Sequence, residues 1–170
     1  YSYKNRYVFN ASLRNDESNR FGQDVRKRFD PLYSFALSWD IAEEPFIKDN
    51  VQWINQFRLR GSYGVQGNTI QTISPDIILA QQGVVPGYEQ YGVSISSLPN
   101  PNLTWESTKS WNIGMDMQIF RWVTMCLEYY HRASDAVIYQ PIPREYGMPQ
   151  MALNGGRIYN HGVEFTMNIT

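Results

Sequence analysis

The sequence predicts an all-β protein built as an up-and-down antiparallel sheet, and three observations carry that expectation. Apolar and polar residues alternate with period two over six separate runs, and no apolar stripe of helical period is sustained anywhere. The segments between the runs alternate strictly between long and short. Aromatic residues make up 15% of the chain beside only 18% charged residues, and many of them gather towards the ends of the runs.

The runs follow one another in a regular way. The first sets Tyr7, Phe9, Ala11 and Leu13 against Val8, Asn10, Ser12 and Arg14. The second sets Tyr33, Phe35, Leu37 and Trp39 against Ser34, Ala36, Ser38 and Asp40. In the third, Phe57, Leu59, Tyr63 and Val65 share a face that Gly61 interrupts, opposite Arg58, Arg60, Ser62 and Gly64. The fourth places Trp111, Ile113, Met115 and Met117 opposite Asn112, Gly114, Asp116 and Gln118. The fifth places Val123, Met125, Leu127 and Tyr129 opposite Thr124, Cys126, Glu128 and Tyr130, and the sixth Val163, Phe165, Met167 and Ile169 opposite Gly162, Glu164, Thr166 and Asn168.

Asn15 to Asp30, Gln66 to Thr104 and Ala133 to Gly155 are expected to be long loops, whereas Ile41 to Asn50 and the residues around Ile119, Phe120 and Arg121 are short connections. Long loops at one end and short turns at the other are what a transmembrane β-barrel of the bacterial outer membrane requires. Its two aromatic belts would be Trp39, Trp53, Phe120 and Trp122 near the short turns, and Tyr7, Tyr33, Tyr63, Trp105, Trp111 and Tyr129 near the long loops. Trp122 is out of phase with Val123. The long loops would then lie outside the cell and the short turns in the periplasm. The polar face, rich in Arg, Asp, Glu, Asn, Gly and Ser, suits the lining of a wet lumen. A soluble β-sandwich with an aromatic core alternates in the same way and stays open.

Composition narrows the function classes. Fifteen Lys and Arg against sixteen Asp and Glu leave a net charge of −1, with no block of like charge, which excludes the electrostatic footprint of a nucleic-acid binder. The longest apolar runs, such as Ile77 to Ala80, are far short of the roughly 20 residues of a membrane-crossing helix. The lone Cys126 cannot form an intrachain disulfide and is expected to be a buried, inert thiol. His131 and His161 are the only imidazoles, and neither a nucleophile elbow nor a zinc-binding spacing is present, so neither an enzyme nor a metal or other cofactor is expected. Asp116, Glu128 and Glu164 share a face, so a hydrolytic carboxylate pair is geometrically conceivable, but polar barrel linings commonly carry carboxylates.

Several motifs add a resemblance. Arg6 to Asp16 followed by Ser18-Asn19-Arg20-Phe21-Gly22, Phe57 to Gly64 followed by Gly67-Asn68, and Asn100-Pro101-Asn102-Leu103-Thr104-Trp105-Glu106 followed by Asn112 to Asp116 occur in one order. Glu128-Tyr129-Tyr130 with Ser134-Asp135, and Asn154-Gly155-Gly156 with Asn160 to Glu164, continue it. Together they resemble the SusC/RagA-type TonB-linked outer-membrane transporters of Bacteroidetes over essentially the whole chain. The resemblance implies that residues 1–170 are part of the later barrel, about six strands of a larger barrel of about 22 strands whose lumen is plugged. The plug domain and the TonB-contacting segment are absent from this chain. The partners it implies are the remaining barrel strands and plug, a SusD-like extracellular lipoprotein, the TonB complex, and the lipid and lipopolysaccharide of the membrane.

The function implied is TonB-dependent uptake of an oligomeric nutrient, an oligosaccharide or a peptide, by the barrel component of a SusCD-like complex. An outer-membrane adhesin barrel and a soluble carbohydrate-binding sandwich are the alternatives. Candidate substrate contacts are the loop aromatics Tyr88, Tyr91, Tyr139, Tyr146 and Tyr159 with Trp105 at the rim, because sugar C–H faces pack on aromatic rings. Arg58, Arg60, Asp116, Glu128 and Glu164 are expected to face the lumen, where the arginines more readily pair with a neighbouring strand or the plug than with substrate. Tyr33, Trp39, Trp53, Tyr63, Trp111 and Phe120 are expected to face lipid in the aromatic belts.

Overall fold

The computed structural model describes residues 1–18, 29–70 and 73–170. Most of the expected first loop, Asn15 to Asp30, and of the Ser18 to Gly22 motif lies outside them. Among the described residues nine strands form: β1 (Ser2–Tyr3), β2 (Tyr7–Glu17), β3 (Phe29–Asp40), β4 (Ile54–Asn68), β5 (Ile78–Val85), β6 (Gln90–Ser97), β7 (Glu106–Ile119), β8 (Val123–Pro141) and β9 (Gln150–Ile169). Seven of them make one antiparallel sheet in the order β1-β2-β3-β4-β7-β8-β9, and β5 and β6 pair only with each other. The long strands therefore run up and down as the alternation predicts.

Register converts the alternation into two continuous faces. Phe9, Leu37, Gly61, Ile113, Tyr129 and Val163 stand side by side across six strands, and the next row holds Asn10, Ala36, Ser62, Asn112, Tyr130 and Gly162. A one-residue slip at any ladder would move a whole strand's apolar set to the polar side. The apolar face is open: Leu37 is 63% exposed, Ile113 58% and Val163 67%. A water-soluble sandwich would cover this face with a second sheet, so that alternative does not describe this fold.

Three expectations are corrected here. Ala133 to Gly155 is not a loop, because β8 and β9 continue pairing up to Pro141 and Gln150 and leave only Ile142 to Pro149 as the connection. The Asn154-Gly155-Gly156 motif looks like a turn but is a bulge between the two strands, where a Cβ on Gly156 would lie 2.6 Å from the Ile138 side chain. Gln66 to Thr104 is not bare loop either, because it carries the β5–β6 hairpin. Tyr7 belongs at the short-turn end, opposite Trp39, with the two rings stacked 6.2 Å apart, because β2 runs towards the first long connection and not away from it.

The short-turn end is tightly tied. Phe120 and Arg121 adopt left-handed backbone (φ 49° and 67°), which costs about 1–2 kcal/mol for each such non-glycine residue. The turn is held because the Phe120 N–H donates to the Trp53 carbonyl and the Arg121 N–H to Oδ1 of Asn55, the bulged residue of β4. Phe120 packs on Trp53 and Trp122, which places the out-of-phase Trp122 in the turn itself. In the β3–β4 connection, a 3-10 turn and one helical turn span Ile41–Glu43 and Pro45–Lys48. Between them Glu44 is buried and accepts hydrogen bonds from Arg6, from the Tyr7 hydroxyl and from the Trp39 indole.

That carboxylate fixes three elements together, and its pKa reflects it. The Tyr7 hydroxyl, helped by Trp39 and Arg6 against the opposing effect of burial, holds Glu44 below the usual carboxylate range. The folded protein thus binds this proton less readily than the unfolded chain. Its contribution is complete above the ordinary glutamate value of about 4.3 and is lost as pH falls through the lower folded value. Wild-type protein should therefore show a higher urea midpoint than Glu44→Gln at pH 7, with the gap closing below about pH 4. A gap of the same size at both pH values would show that Glu44 acts by shape alone.

Candidate functional site

The polar face carries a connected set of charges. Arg58 on β4 donates to Asp40 on β3 at 2.9 Å. Arg60, two residues on, reaches across β7 to β8: its Nε donates to Asp116 at 3.0 Å and its Nη2 to Glu128 at 3.1 Å, with Cys126 Sγ 3.4 Å away. Asn112 donates to the other Glu128 oxygen at 2.9 Å and accepts from the Ser62 hydroxyl at 2.6 Å. The resulting chain Ser62, Asn112, Glu128, Arg60, Asp116 spans three strands.

Gly114 makes this reach possible. It sits opposite both Arg60 and Glu128, and a Cβ there would come within 3.0 Å of the Arg60 guanidinium. Glu164 on β9 stands directly opposite Glu128, and two like charges at that spacing repel unless a cation intervenes. Arg60 supplies one for Glu128. Two open hollows flank the network: one of about 420 Å³ beside Arg58 and Ser62, and one of about 490 Å³ beside Tyr130, Arg132 and Glu164. Both are walled by hydroxyl, amide, guanidinium and carboxylate groups, a surface that hydrogen-bonds a polar solute and keeps water. No group of residues suited to a metal ion occurs among the described residues. Cys126 is half-buried on this polar face and not a core thiol, because its strand has no core beneath it.

The structure places the other sequence-derived candidates as follows. Arg58, Arg60, Asp116, Glu128 and Glu164 share the polar face, and Tyr33, Trp39, Tyr63 and Trp111 share the other. Trp53 and Phe120 pack together at the short-turn end. The aromatic residues proposed for substrate do not converge. Tyr88 is at the tip of the β5–β6 hairpin, Tyr91 on β6, Tyr139 on β8 and Tyr146 in the turn beyond it. Tyr159 is on β9, 6.1 Å from His131 on the face opposite the ion network, because residues 150–169 form a continuous strand.

Trp105 packs against Ile73 and Leu103 in a small cluster with Val137 and Ala152. The motif around it is an anchor. Asn100, 6% exposed, donates to the Ala152 carbonyl at 2.8 Å and accepts from the Asn102 N–H, while Leu103 is 2% exposed. Asn154 exchanges two hydrogen bonds with the Thr104 backbone, and Glu106 accepts from the Val137 N–H and from Asn68. Nothing local in Asn100-Pro101-Asn102 shows that it clips the long connection to the upper part of β8 and β9. Ser62 and Asn112, which complete the network, carried no signal beyond their parity.

With this geometry in place, comparison with known proteins is informative. The family model described as TonB dependent receptor-like, beta-barrel matches residues 1–170. TonB-dependent receptor P26 of Formosa agariphila is 33% identical over 176 residues, covering 100% of this chain and 17% of the relative. TonB-dependent receptor SusC of Bacteroides thetaiotaomicron is 33% identical over 180 residues, covering 99% of this chain and 17% of the relative. The structure of the RagAB peptide importer in its closed-closed state superposes with a TM-score of 0.81 at 28% identity, over 95% of this chain and 18% of that one. The chain thus spans about a sixth of the length of the curated relatives it matches.

The ion network makes its own prediction. Because the Arg60 side chain is 38% exposed, screening limits its coupling to Asp116 to about 1 kcal/mol. A double-mutant cycle with Arg60→Gln and Asp116→Asn, read from unfolding midpoints of the full-length protein, should return a coupling of about that size. Strict additivity would mean that the two side chains lie side by side without energetic weight.

Proposed function

This chain belongs to the TonB-dependent receptor β-barrel family of the bacterial outer membrane, and we propose that it forms part of the wall of a transporter for oligomeric nutrients. The observation that carries this reading is the pair of opposed faces: an open apolar face six long strands wide, and behind it a hydrated, ion-paired face. Apolar side chains bare on a closed antiparallel sheet are stable against lipid, and the polar side then lines the lumen. On this reading the plug and the TonB-contacting segment come from the remainder of a longer protein, and an extracellular lipoprotein closes the outer rim.

The sheet's far end would be the outer one. There β8 and β9, at 19 and 20 residues, exceed the roughly 9–11 residues that cross a bilayer, so they would project from it with the hairpin β5–β6 beside them. Tyr88, Tyr91, Tyr139 and Tyr146, 77%, 68%, 56% and 59% exposed, are aromatics at this end free to meet a sugar ring or a peptide side chain or to seat the lipoprotein. The RagAB structure is of a peptide importer, which favours a peptide as the first cargo to test. Lumen groups of both charges, hydroxyls and amides would bind an oligomer weakly at many points and let it pass.

Growth of the source strain on one oligopeptide or oligosaccharide at a time tests the function. Deletion of the full-length gene should abolish growth on one class only, and loss of the TonB complex should have the same effect. Undiminished uptake in both deletions would leave an adhesin barrel as the reading. Facing is tested by substitution. Leu37→Arg, on the open apolar face, should cost roughly 2–4 kcal/mol near the midplane and impair barrel assembly, while Ala36→Arg should be tolerated, both read by heat-modifiable migration of the full-length protein. Greater damage from Ala36→Arg would reverse the assignment of the two faces.

A further inference from the structure

The two histidines of the chain stand directly opposite each other, His131 on β8 and His161 on β9, on the apolar face. Their rings lie 6.3 Å apart at an interplanar angle of 25°, and His131 is also 5.8 Å from the Trp111 ring and 6.1 Å from Tyr159. Lys109 lies one row further from the short turns on β7, opposite Ala133, which is itself opposite Tyr159. It is exposed and makes no ion pair among the described residues; Asp135, one row beyond and near enough to feel its charge, is paired with Arg157 at 2.6 Å.

Height along the sheet decides what these groups meet. From Val123, beside the short turn, to His131 is eight strand steps, which at about 3.3 Å each and a tilt of about 40° rise about 20 Å. The apolar band of such a barrel is about 25 Å tall, so the imidazoles lie at its outer margin and Lys109 just beyond. A lysine on the bilayer side at this height reaches headgroups, and the aromatic rings around it are the kind that anchor there. Either protonation state of an imidazole offers at least one N–H donor, and an ammonium offers three. Donors from three adjacent strands with one unpaired positive charge complement a phosphate monoester, which carries close to two negative charges and several acceptor oxygens. Net charge over the whole chain hides this local excess.

Resting on the reading that the apolar face meets lipid, we propose that Lys109, His131 and His161 form a binding site for the phosphate of a phosphorylated glycolipid in the outer leaflet. The full-length protein, wild type and Lys109→Gln/His131→Gln/His161→Gln, would be inserted into nanodiscs holding lipid A or its dephosphorylated counterpart with the same acyl chains. Lipid retained per barrel would be counted by native mass spectrometry. Wild type should retain the phosphorylated lipid about fivefold to tenfold better, and the triple variant should lose the preference. Lys109→Arg, which keeps the charge, should retain it even if the triple variant assembles poorly. Equal retention of the two lipids by wild type, or an undiminished preference in an assembled triple variant, overturns the site and leaves the transporter reading in place. Failure of wild type to enter either bilayer overturns both.

Discussion

Backbone hydrogen bonding to a neighbour on each side leaves an interior strand only two directions for its side chains, and everything else in this sheet depends on that restriction. Once Phe9, Leu37, Ile113, Tyr129 and Val163 share a row, the residues between them are committed to the opposite side. No rotamer choice can undo it. The two faces therefore need two different surroundings, and a bilayer on one side with water on the other meets that need without a second layer of protein.

Within that frame the polar face is organised by one long side chain. Arg60 crosses a strand that carries glycine where another residue would block it, and brings together carboxylates from β7 and β8. Glu164, with no such partner among the described residues, stands on the strand whose outer edge would receive the next strand of a closed barrel. The network ties three strands together and pairs both Asp116 and Glu128 with a single cation.

The ends of the sheet are secured by different means. At the short-turn end, a strained two-residue bend and a buried Glu44 are compensated by specific donors and acceptors, so geometry there is set by hydrogen bonds between neighbouring connections. At the other end, Asn100, Leu103 and Asn154 bind the long connection to the arm formed by β8 and β9. That arm rises beyond β7, whose pairing with β8 stops at Ser107, and the clamp gives it a second line of support.

Period-two alternation by itself determined the fold class, the six long strands and the parity of Arg58, Arg60, Asp116 and Glu128, because parity along a strand is a local property of the chain. Turn chemistry was less decisive. Asn154-Gly155-Gly156 has the composition of a turn, yet tertiary pairing with Ala136 and Val137 made it a bulge, since glycine serves both a reversal and a close approach. Only the assembled sheet could place Tyr7 beside Trp39 or set Lys109, His131 and His161 together, because cross-strand register depends on which residue faces which over separations of tens of positions. For the same reason the dispersal of Tyr88, Tyr91, Tyr139, Tyr146 and Tyr159 was decided by strand length and register, and not by their shared chemistry.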